Sequence, residues 1–265
     1  MKCLVCSCPI EDSVDLCLKC APGFWENARQ AIEKMPVVPE YPEVWPVIHV
    51  ENHETALENA AIAAQAKAEG VFLIQMNGND DLLDPLIHPI RQQFPQLKVG
   101  FNFLSLPPLE ALKRSLQLGA DATWTDRPGV RSDGVSTEAE DVSALLLQHS
   151  HHLFFASIAF KYQTIDPNPW LAAQKAHYLG MIPTTSGEAT GIAPAAEKLR
   201  LIQKGQSSLS LALASGITPD NVGEFLPYLT HCLVSTGISR DFEHFDAQKL
   251  QQLVDRVRLD VASLF

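Results

Sequence analysis

The chain has 265 residues and a formal net charge of −11 at pH 7, with 46% hydrophobic and 19% charged residues. This balance is typical of a globular protein that buries a large core, and it excludes a disordered or fibrous chain. It also argues against nucleic acid as a partner, because polyanion binding needs clustered Lys and Arg. Residues 1–150 hold 11 Lys and Arg against 21 Asp and Glu, whereas residues 151–265 hold 9 against 10. We therefore expect an anion to bind in the second half or through backbone amides.

No apolar run approaches the roughly 20 residues that cross a bilayer, so we expect no membrane span. The first residues, MKCLVCSCPIEDSVD, lack the uninterrupted apolar core of a signal peptide. We expect a cytoplasmic protein.

Five of the six cysteines lie within the first 20 residues. Cys3, Cys6, Cys17 and Cys20 form the pattern C-x2-C-x10-C-x2-C, and Cys8 is an additional thiol that could replace Cys3. Two such knuckles can place four thiolates tetrahedrally around Zn²⁺, whereas disulfides are rare in a reducing compartment. A closed four-cysteine site leaves no open position on the metal, so the predicted zinc is structural. The alternative is a flexible tail that carries small thiols.

The rest of the chain predicts strands that alternate with helices after a proline-rich connector. The predicted modules are a zinc knuckle over 1–22, a helix and connector over 23–45, and a barrel over 46–265. The predicted strands are 46–50, 71–76, 98–103, 121–125, 153–159, 181–185, 209–214 and 231–235. The predicted helices are 54–69, 108–118, 137–148, 169–179, 193–204, 219–227 and 246–258, with 81–95 interrupted by prolines.

Eight such units predict the α/β fold class, as a (β/α)8 TIM barrel, whose usual size is about 250 residues. An open, doubly wound sheet is the alternative. In a barrel the site lies at the carboxyl ends of the strands, and the loops after strands seven and eight often bind phosphate.

The loops after the last three strands are rich in Gly, Ser and Thr. Glycine lets the backbone approach an anion, and the amides there are oriented donors. The alternative is that these glycines serve only tight turns. The predicted phosphate-binding residues are Ser186, Gly187, Thr190, Gly191, Ser215, Gly216, Ser235, Thr236 and Gly237.

Lys161 follows predicted strand five and is the main catalytic candidate. Its amine can pair with an anion, act as a base or form a Schiff base, unless the side chain simply extends to solvent. Glu51, Asn102 and Asp126 follow strands one, three and four and are candidates for acid/base work or hydroxyl contacts. His49 lies within strand one, where an interior hydrogen-bonded histidine is an equal alternative.

Three other features are not assigned to catalysis or to phosphate binding. Residues 127–134 form a long loop that suits a lid. Residues 149–152 contain three histidines before strand five, and we predict a solvated turn there rather than a metal site. Cys232 lies in an apolar run and is predicted to be a small core residue.

The runs SGEATG (186–191), ASGITPDNV (214–222) and STG (235–237) resemble the BtpA/SgcQ family, as do Lys161 and the Asp-Gly pair at 133–134. That family is placed among the ribulose-phosphate-binding barrels and is named for a role in photosystem I biogenesis. Some members are labelled nucleosidases or phosphoribosyltransferases. The resemblance spans residues 46–258, but its specific motifs lie in the second half.

The first half departs from the family's pattern. The family has a Pro/Gly-rich first strand, where this chain has PVIHVEN (46–52). The family has a polar Arg-Asn pattern at the end of strand three, where this chain has NFLS (102–105). The knuckles resemble the short zinc ribbons of some phosphoribosyltransferase-related proteins.

These features favour an enzyme that acts on a phosphorylated sugar or nucleotide-like compound, as a lyase, isomerase, transferase or nucleosidase. The alternative is a non-catalytic assembly or regulatory factor that docks a protein partner through the zinc module. The sequence also leaves open a homo-oligomer.

Overall fold

The structure, a computed structural model, describes residue 39, residues 41–204 and residues 209–262, without the side chains of 260–262. Eight strands lie in the predicted places. Their bounds are β1 Glu43–His49, β2 Gly70–Ile74, β3 Lys98–Asn102, β4 Ala122–Thr125, β5 Leu153–Ser157, β6 Ile182–Thr185, β7 Ala212–Leu213 and β8 His231–Val234.

These strands are all parallel and close on themselves in chain order, with β8 paired to β1. The predicted α/β TIM barrel is confirmed, and the open-sheet alternative is wrong. The closing register pairs Glu43 with His231 and Pro46 with Val234. All the carboxyl ends of the strands therefore point to one face, which we call the mouth, and the amino ends point to the opposite face, the base.

Seven α-helices cover the barrel in the described part of the chain. They are α1 His53–Gln65, α2 Ile87–Gln93, α3 Pro108–Gln117, α4 Thr137–Leu146, α5 Pro169–Tyr178, α6 Ala196–Gln203 and α7 Ala247–Ala262. No helix within the described residues is both long enough and apolar enough to cross a bilayer.

The helix predicted over 219–227 is wrong. Two short 3-10 turns, Val222–Glu224 and Leu226–Tyr228, connect β7 to β8 instead. Gly223 and Pro227 explain the difference, because glycine disfavours a helix and proline lacks the N–H that continues one.

Aromatic side chains fill the barrel interior. Trp45 packs against Phe72 with ring centroids 5.2 Å apart, and Phe72 packs edge-on against Phe155 at 5.1 Å and Trp124 at 5.7 Å. Rings in these arrangements stabilise the core by more than the burial of their apolar surface alone provides. The interior is therefore a packed core beneath the mouth, not a pore.

Paired polar side chains close the base. The indole N–H of Trp45 donates to Glu43 Oε2 at 2.8 Å, and Lys98 Nζ lies 2.9 Å from Glu43 Oε1. His231 is buried beside them, with Nε2 3.8 Å from Glu43 Oε2. Burial lowers the pKa of His231 to about 4.

The solvated turn predicted for 149–152 is wrong for His152, which is buried at the base. Its Nδ1 lies 3.0 Å from the carbonyl oxygen of Ala120, so Nδ1 donates. Nε2 then accepts from the Thr123 hydroxyl at 2.8 Å. Burial lowers the pKa of His152 to about 4.

Cys232 is fully buried in β8, as predicted for a core residue. Burial raises the pKa of its thiol to about 12, so it is a protonated apolar side chain at neutral pH.

Candidate functional site

A cavity of about 180 Å³ opens at the mouth of the barrel. Side chains from the strand ends form its floor, and loop residues form its rim. The floor is largely apolar and contains Val47, Ile74, Trp124, Phe160, Ala214 and Leu233. Such a surface suits a small ligand that polar groups at the rim orient.

One side of the cavity is built from the loops after β6, β7 and β8, which the sequence predicts to bind phosphate. Seven of the nine predicted residues line it: Thr190, Gly191, Ser215, Gly216, Ser235, Thr236 and Gly237. Ser186 and Gly187 do not, because they lie beneath the loops. The Ser186 hydroxyl accepts from the Lys161 N–H at 2.7 Å and donates to the Gly187 carbonyl at 2.9 Å.

The glycines of these loops allow the loops to pack against one another. Gly216 has φ +66°, and a Cβ at this position would overlap the backbone nitrogen of Ala193. A Cβ on Gly237 would overlap the carbonyl oxygen of Ile217. The sequence predicts that these glycines let the backbone approach an anion, but neighbouring backbone fills the space that each missing Cβ leaves. The loops form one interlocked surface, and their hydroxyls and amides remain as the groups that can meet an anion.

The turn after β8 contributes Thr236 and Gly237 to this surface. A 3-10 turn, Thr236–Ile238, begins directly after Ser235. The first N–H groups of such a turn have no acceptor within it. The neighbouring Ser215 hydroxyl donates to the carbonyl of Ala189 at 2.9 Å and so ties the β7 loop to the β6 loop. Amides and hydroxyls with this placement are suited to a phosphate group.

Lys198 stabilises these loops from behind. Its ammonium donates to the carbonyl oxygens of Ala159 at 2.7 Å and Ser186 at 2.6 Å, and so joins the loop after β5 to the loop after β6. Burial lowers its pKa. Sequence reasoning missed Lys198, because a lysine on an amphipathic helix carries no local signal of burial.

The opposite side of the cavity carries Lys161, Asp126 and Asn102, three of the four predicted catalytic residues. Burial lowers the pKa of Lys161 and raises the pKa of Asp126, although each charge opposes the shift of the other. Burial therefore disfavours the charged form of both groups. Glu51, the fourth candidate, is exposed and does not line the cavity.

Asn102 has an unused acceptor. The side chain is 1% exposed, and its Nδ2 lies 3.4 Å from Asp126 Oδ1. Its Oδ1 is buried without a partner among the described residues. An unpaired buried carbonyl is costly, so a ligand that brings a hydrogen-bond donor would satisfy it.

The loop after β5 is held in a strained conformation around Lys161. Ala159 has φ +45° and Tyr162 has φ +62°, in the left-handed region that non-glycine residues rarely adopt. Gln163 fixes the loop, because its Nε2 donates to the carbonyls of Asp126 and Ser157. Such strain persists only where the surroundings enforce it, and it clusters at functional sites.

The predicted lid loop, 127–134, forms a hairpin from Val130–Arg131 and Gly134–Val135. The N–H of Ser132 donates to Asp166 Oδ2 at 2.9 Å, and Lys175 Nζ donates to the Ser132 carbonyl at 2.9 Å. The hairpin is anchored beside the mouth and contributes no residue to the cavity lining.

The predicted zinc ligands Cys3, Cys6, Cys17 and Cys20 lie outside the described residues, as does Cys8. Within residues 41–204 and 209–262, no group of three or more His, Cys, Asp or Glu side chains is arranged to hold a metal ion.

Solved structures share this fold at low sequence identity. Phosphoribosyl anthranilate isomerase from Thermus thermophilus has a TM-score of 0.57 and 16% identity, over 84% of this chain and 100% of that one. 3-Hexulose-6-phosphate synthase from Salmonella typhimurium has a TM-score of 0.64 and 10% identity, over 82% and 99%. Thiamine phosphate pyrophosphorylase from Pyrococcus furiosus has a TM-score of 0.55 and 12% identity, over 84% and 96%.

At these identities the likeness establishes the fold alone. No protein-family model matches the chain, and no curated protein matches it by sequence. The resemblance to the BtpA/SgcQ family therefore stays a prediction.

Proposed function

We propose that the chain is an enzyme that acts on a phosphorylated sugar or a nucleotide-like small molecule. The observation that carries this proposal is a single cavity that joins the three Gly/Ser/Thr-rich loops to Lys161, Asp126 and Asn102. The loops after β6, β7 and β8 hold the phosphate, and the opposite side performs the chemistry.

The phosphate assignment is supported by the donors of those loops. Ser235 and Thr236 bring hydroxyls, and the 3-10 turn that follows brings backbone N–H groups. Three structural neighbours carry phosphorylated compounds in their names, namely phosphoribosyl anthranilate, hexulose 6-phosphate and thiamine phosphate. The position after the last strands of a TIM barrel is where phosphate often binds.

The sugar assignment is supported by the acceptors of the opposite side. The unpaired Oδ1 of Asn102 and the carboxyl of Asp126 both accept hydrogen bonds. A sugar presents several hydroxyl donors, so it can satisfy both groups. The ammonium of Lys161 is positioned to stabilise negative charge that develops on a substrate oxygen.

Thermal unfolding with paired ligands tests the proposal. D-ribose 5-phosphate, D-ribulose 5-phosphate and AMP are compared with ribose, ribulose and adenosine. A ligand at about 100 times its Kd adds roughly 2.7 kcal/mol to the free energy of unfolding. We expect stabilisation by a phosphorylated compound and none by its unphosphorylated counterpart. Equal stabilisation by both, or none by any phosphorylated compound, contradicts the proposal.

Hydroxyl deletions locate the phosphate. Ser235→Ala with Thr236→Val removes two donors from the cavity and should weaken the binding of the phosphorylated ligand at least tenfold. Thr164→Val is the matched control, because Thr164 is exposed and does not line the cavity. Wild-type affinity in the double variant would place the phosphate elsewhere.

Lys161→Met separates the enzyme from the non-catalytic alternative. An enzyme should lose turnover but keep its ligand when the ammonium is replaced by an apolar group of similar length. An assembly or regulatory factor should instead lose a protein complex when Cys17 and Cys20 become Ser.

The structural zinc at Cys3, Cys6, Cys17 and Cys20 remains part of the proposal. Two closely spaced CxxC pairs provide the four thiolates of a closed site. Metal analysis of the purified chain should find about one zinc per molecule. Less than about a quarter of an equivalent contradicts this assignment, and it does so without bearing on the phosphate site.

A further inference from the structure

His49 is the cavity residue that the proposed function leaves unused. It ends β1 and lines the cavity. Its ring stacks on Phe242, with centroids 4.3 Å apart and planes 10° apart, and its Nδ1 lies 3.2 Å from the carbonyl oxygen of Phe242. A carbonyl oxygen can only accept, so Nδ1 carries the proton. The neutral ring then has its lone pair on Nε2.

The segment after β8 fixes this carbonyl in place. We call residues 239–245 the strap. Asn59 is 2% exposed, and its Nδ2 donates to the Glu243 carbonyl at 2.6 Å while its Oδ1 accepts from the Phe245 N–H at 2.9 Å. Asp241 Oδ1 accepts the N–H groups of Glu243 and His244. Asn59 therefore anchors the strap on the C-terminal side of Phe242, Asp241 braces it internally, and the strap holds the tautomer of His49.

The second nitrogen distinguishes His49 from His152 at the base, which uses both ring nitrogens. His231, also at the base, pairs Nδ1 with the Thr230 hydroxyl at 2.8 Å and has Nε2 3.8 Å from Glu43 Oε2. Nε2 of His49 has no hydrogen-bond partner within the described part of the chain. Because His49 lines the cavity, its unused Nε2 is available to a ligand.

Burial is the main cause that favours the neutral ring. Burial lowers the pKa of His49, and Lys161 across the cavity lowers it further, while the Phe242 hydrogen bond and Glu51 oppose the shift. Asp126 lines the same cavity. Asp241 of the strap is paired with His244 at 2.8 Å. The adjoining strand β2 carries no charge. Of the titratable groups of β8, His231 lies at the base and Cys232 is a buried, protonated thiol.

We propose that His49 is the general base of this cavity and that its substrate is a phosphorylated hydroxy-ketone or hydroxy-aldehyde. This inference rests on the proposed function and names the substrate class for the same site. Nε2 takes a proton from the carbon beside the carbonyl. The C–H bond breaks and an N–H bond forms. The released electron pair makes a carbon–carbon double bond, and the carbonyl pair moves to oxygen, beside the ammonium of Lys161. Return of a solvent-derived proton to the same carbon completes an exchange. Its return to the former carbonyl carbon, with transfer of the neighbouring hydroxyl proton to the enolate oxygen, completes an isomerisation without a further reactant.

The tautomer is measured first. In ¹⁵N-histidine-labelled protein, the signal of His49 is assigned by its loss in His49→Gln. We expect a neutral ring at pH 7 with the proton on Nδ1 and a titration midpoint below the usual histidine pKa. A charged ring at pH 7, or a proton on Nε2, overturns the inference.

Proton transfer is measured by incubating the protein in D2O with D-ribulose 5-phosphate or D-ribose 5-phosphate and following C–H signals by NMR. We expect exchange or isomerisation in the wild-type protein and a loss of about 100-fold or more in His49→Gln, the usual effect of a general base. The ligand's thermal shift should be retained in that variant. His53→Gln is the matched control, because His53 is exposed and lies outside the cavity.

The outcomes separate the two proposals. Wild-type exchange rates in His49→Gln overturn the assignment of His49 as general base. Binding of both phosphosugars without exchange or isomerisation overturns it as well. The phosphate site stands in each case. Absence of binding by any phosphorylated compound in the thermal screen refutes the proposed function itself.

Discussion

The base and the mouth of the barrel treat buried polar groups differently. At the base, His152 bonds through both ring nitrogens, and Glu43 accepts from Trp45 and Lys98. At the mouth, Asn102 Oδ1 and His49 Nε2 have no partner within the described residues. Inside the barrel, these groups at the base therefore resemble a completed core, whereas the mouth has polar groups that a ligand can complete. Ser115 Oγ and His177 Nδ1, which are also buried without a partner among the described residues, lie on the surrounding helices.

The backbone is strained beside Lys161. Ala159 and Tyr162, on either side of it, adopt positive φ without being glycine, as do Lys67 and Lys204 at the C-terminal ends of α1 and α6. A left-handed residue is a common way to end a helix, whereas in the loop after β5 it shapes the mouth. Removal of a polar side-chain group at the base should therefore alter the free energy of unfolding, whereas removal of one at the mouth should alter ligand binding.

The largest expected effect is a fall in the free energy of unfolding at acid pH, caused by the two buried histidines at the base of the barrel. His152 and His231 have pKa values lowered to about 4 by burial, against an ordinary value of 6.5. Between these pH values the unfolded chain binds more protons than the folded chain. The free energy of unfolding therefore has its full value above about pH 6.5 and falls as the pH drops toward 4. We expect the two together to lose roughly 3–4 kcal/mol between pH 7 and pH 5.

Urea unfolding at a series of pH values measures this loss. His152→Gln should retain about half of the pH dependence, because His231 still titrates. A free energy of unfolding that stays constant from pH 7 to pH 5 contradicts the assignment of neutral buried histidines.

The next effect concerns the interlocked loops of the mouth. Gly216→Ala places a Cβ on the backbone of Ala193 and strains a φ of +66°. We expect a loss of roughly 2–4 kcal/mol in urea unfolding. Gly134→Ala is the control, because nothing lies within 4 Å of the new Cβ. It should change stability by less than about 0.5 kcal/mol. Equal effects of the two would show that the loops can separate freely.

A pair of hydroxyl deletions compares the two faces directly. Thr123→Val leaves Nε2 of His152 without its donor and should lower the free energy of unfolding by about 1–3 kcal/mol. Thr236→Val removes an exposed hydroxyl at the mouth and should leave stability within about 0.5 kcal/mol while weakening phosphate binding. Thermal unfolding with and without D-ribose 5-phosphate measures both properties. The opposite pattern would remove the distinction between the faces.

The smallest effect is the release of strain. Ala159→Gly should stabilise the chain by about 0.5–1 kcal/mol, because glycine adopts positive φ without the penalty that alanine carries. Ala144→Gly on the exposed face of α4 should do the reverse and destabilise by about 1 kcal/mol. Destabilisation by both substitutions would mean that Ala159 is not strained.

The sequence predicts the barrel and the phosphate loops because both depend on local patterns. Each buried strand is a short apolar run, and the turns after β6 to β8 contain Gly, Ser and Thr. It does not predict the burial of His152 or the role of Lys198. Both depend on contacts across the fold, to Thr123 and to the carbonyls of Ala159 and Ser186, that no periodicity records.

The same limit applies to the catalytic candidates. Asn102, Asp126 and Lys161 are predicted because they follow strands, but so does Glu51, which is exposed and does not line the cavity. Trp124 was not identified as part of the cavity, because an inward-facing strand residue looks like any core residue. The sequence identifies the loop glycines but not why glycine is needed there, since the contacts between the loops appear only in the folded structure.

The chemical shifts of the glycine amides test the central distinction most directly. D-ribose 5-phosphate is titrated into ¹⁵N-labelled protein, and each amide reports on its own face of the barrel. We predict saturable shifts at the mouth and none at the base, and saturable shifts at the base with an unchanged mouth would contradict the proposed site. The mouth reporters are Gly191, Gly216 and Gly237, and the base reporters are Gly70, Gly119 and Gly180.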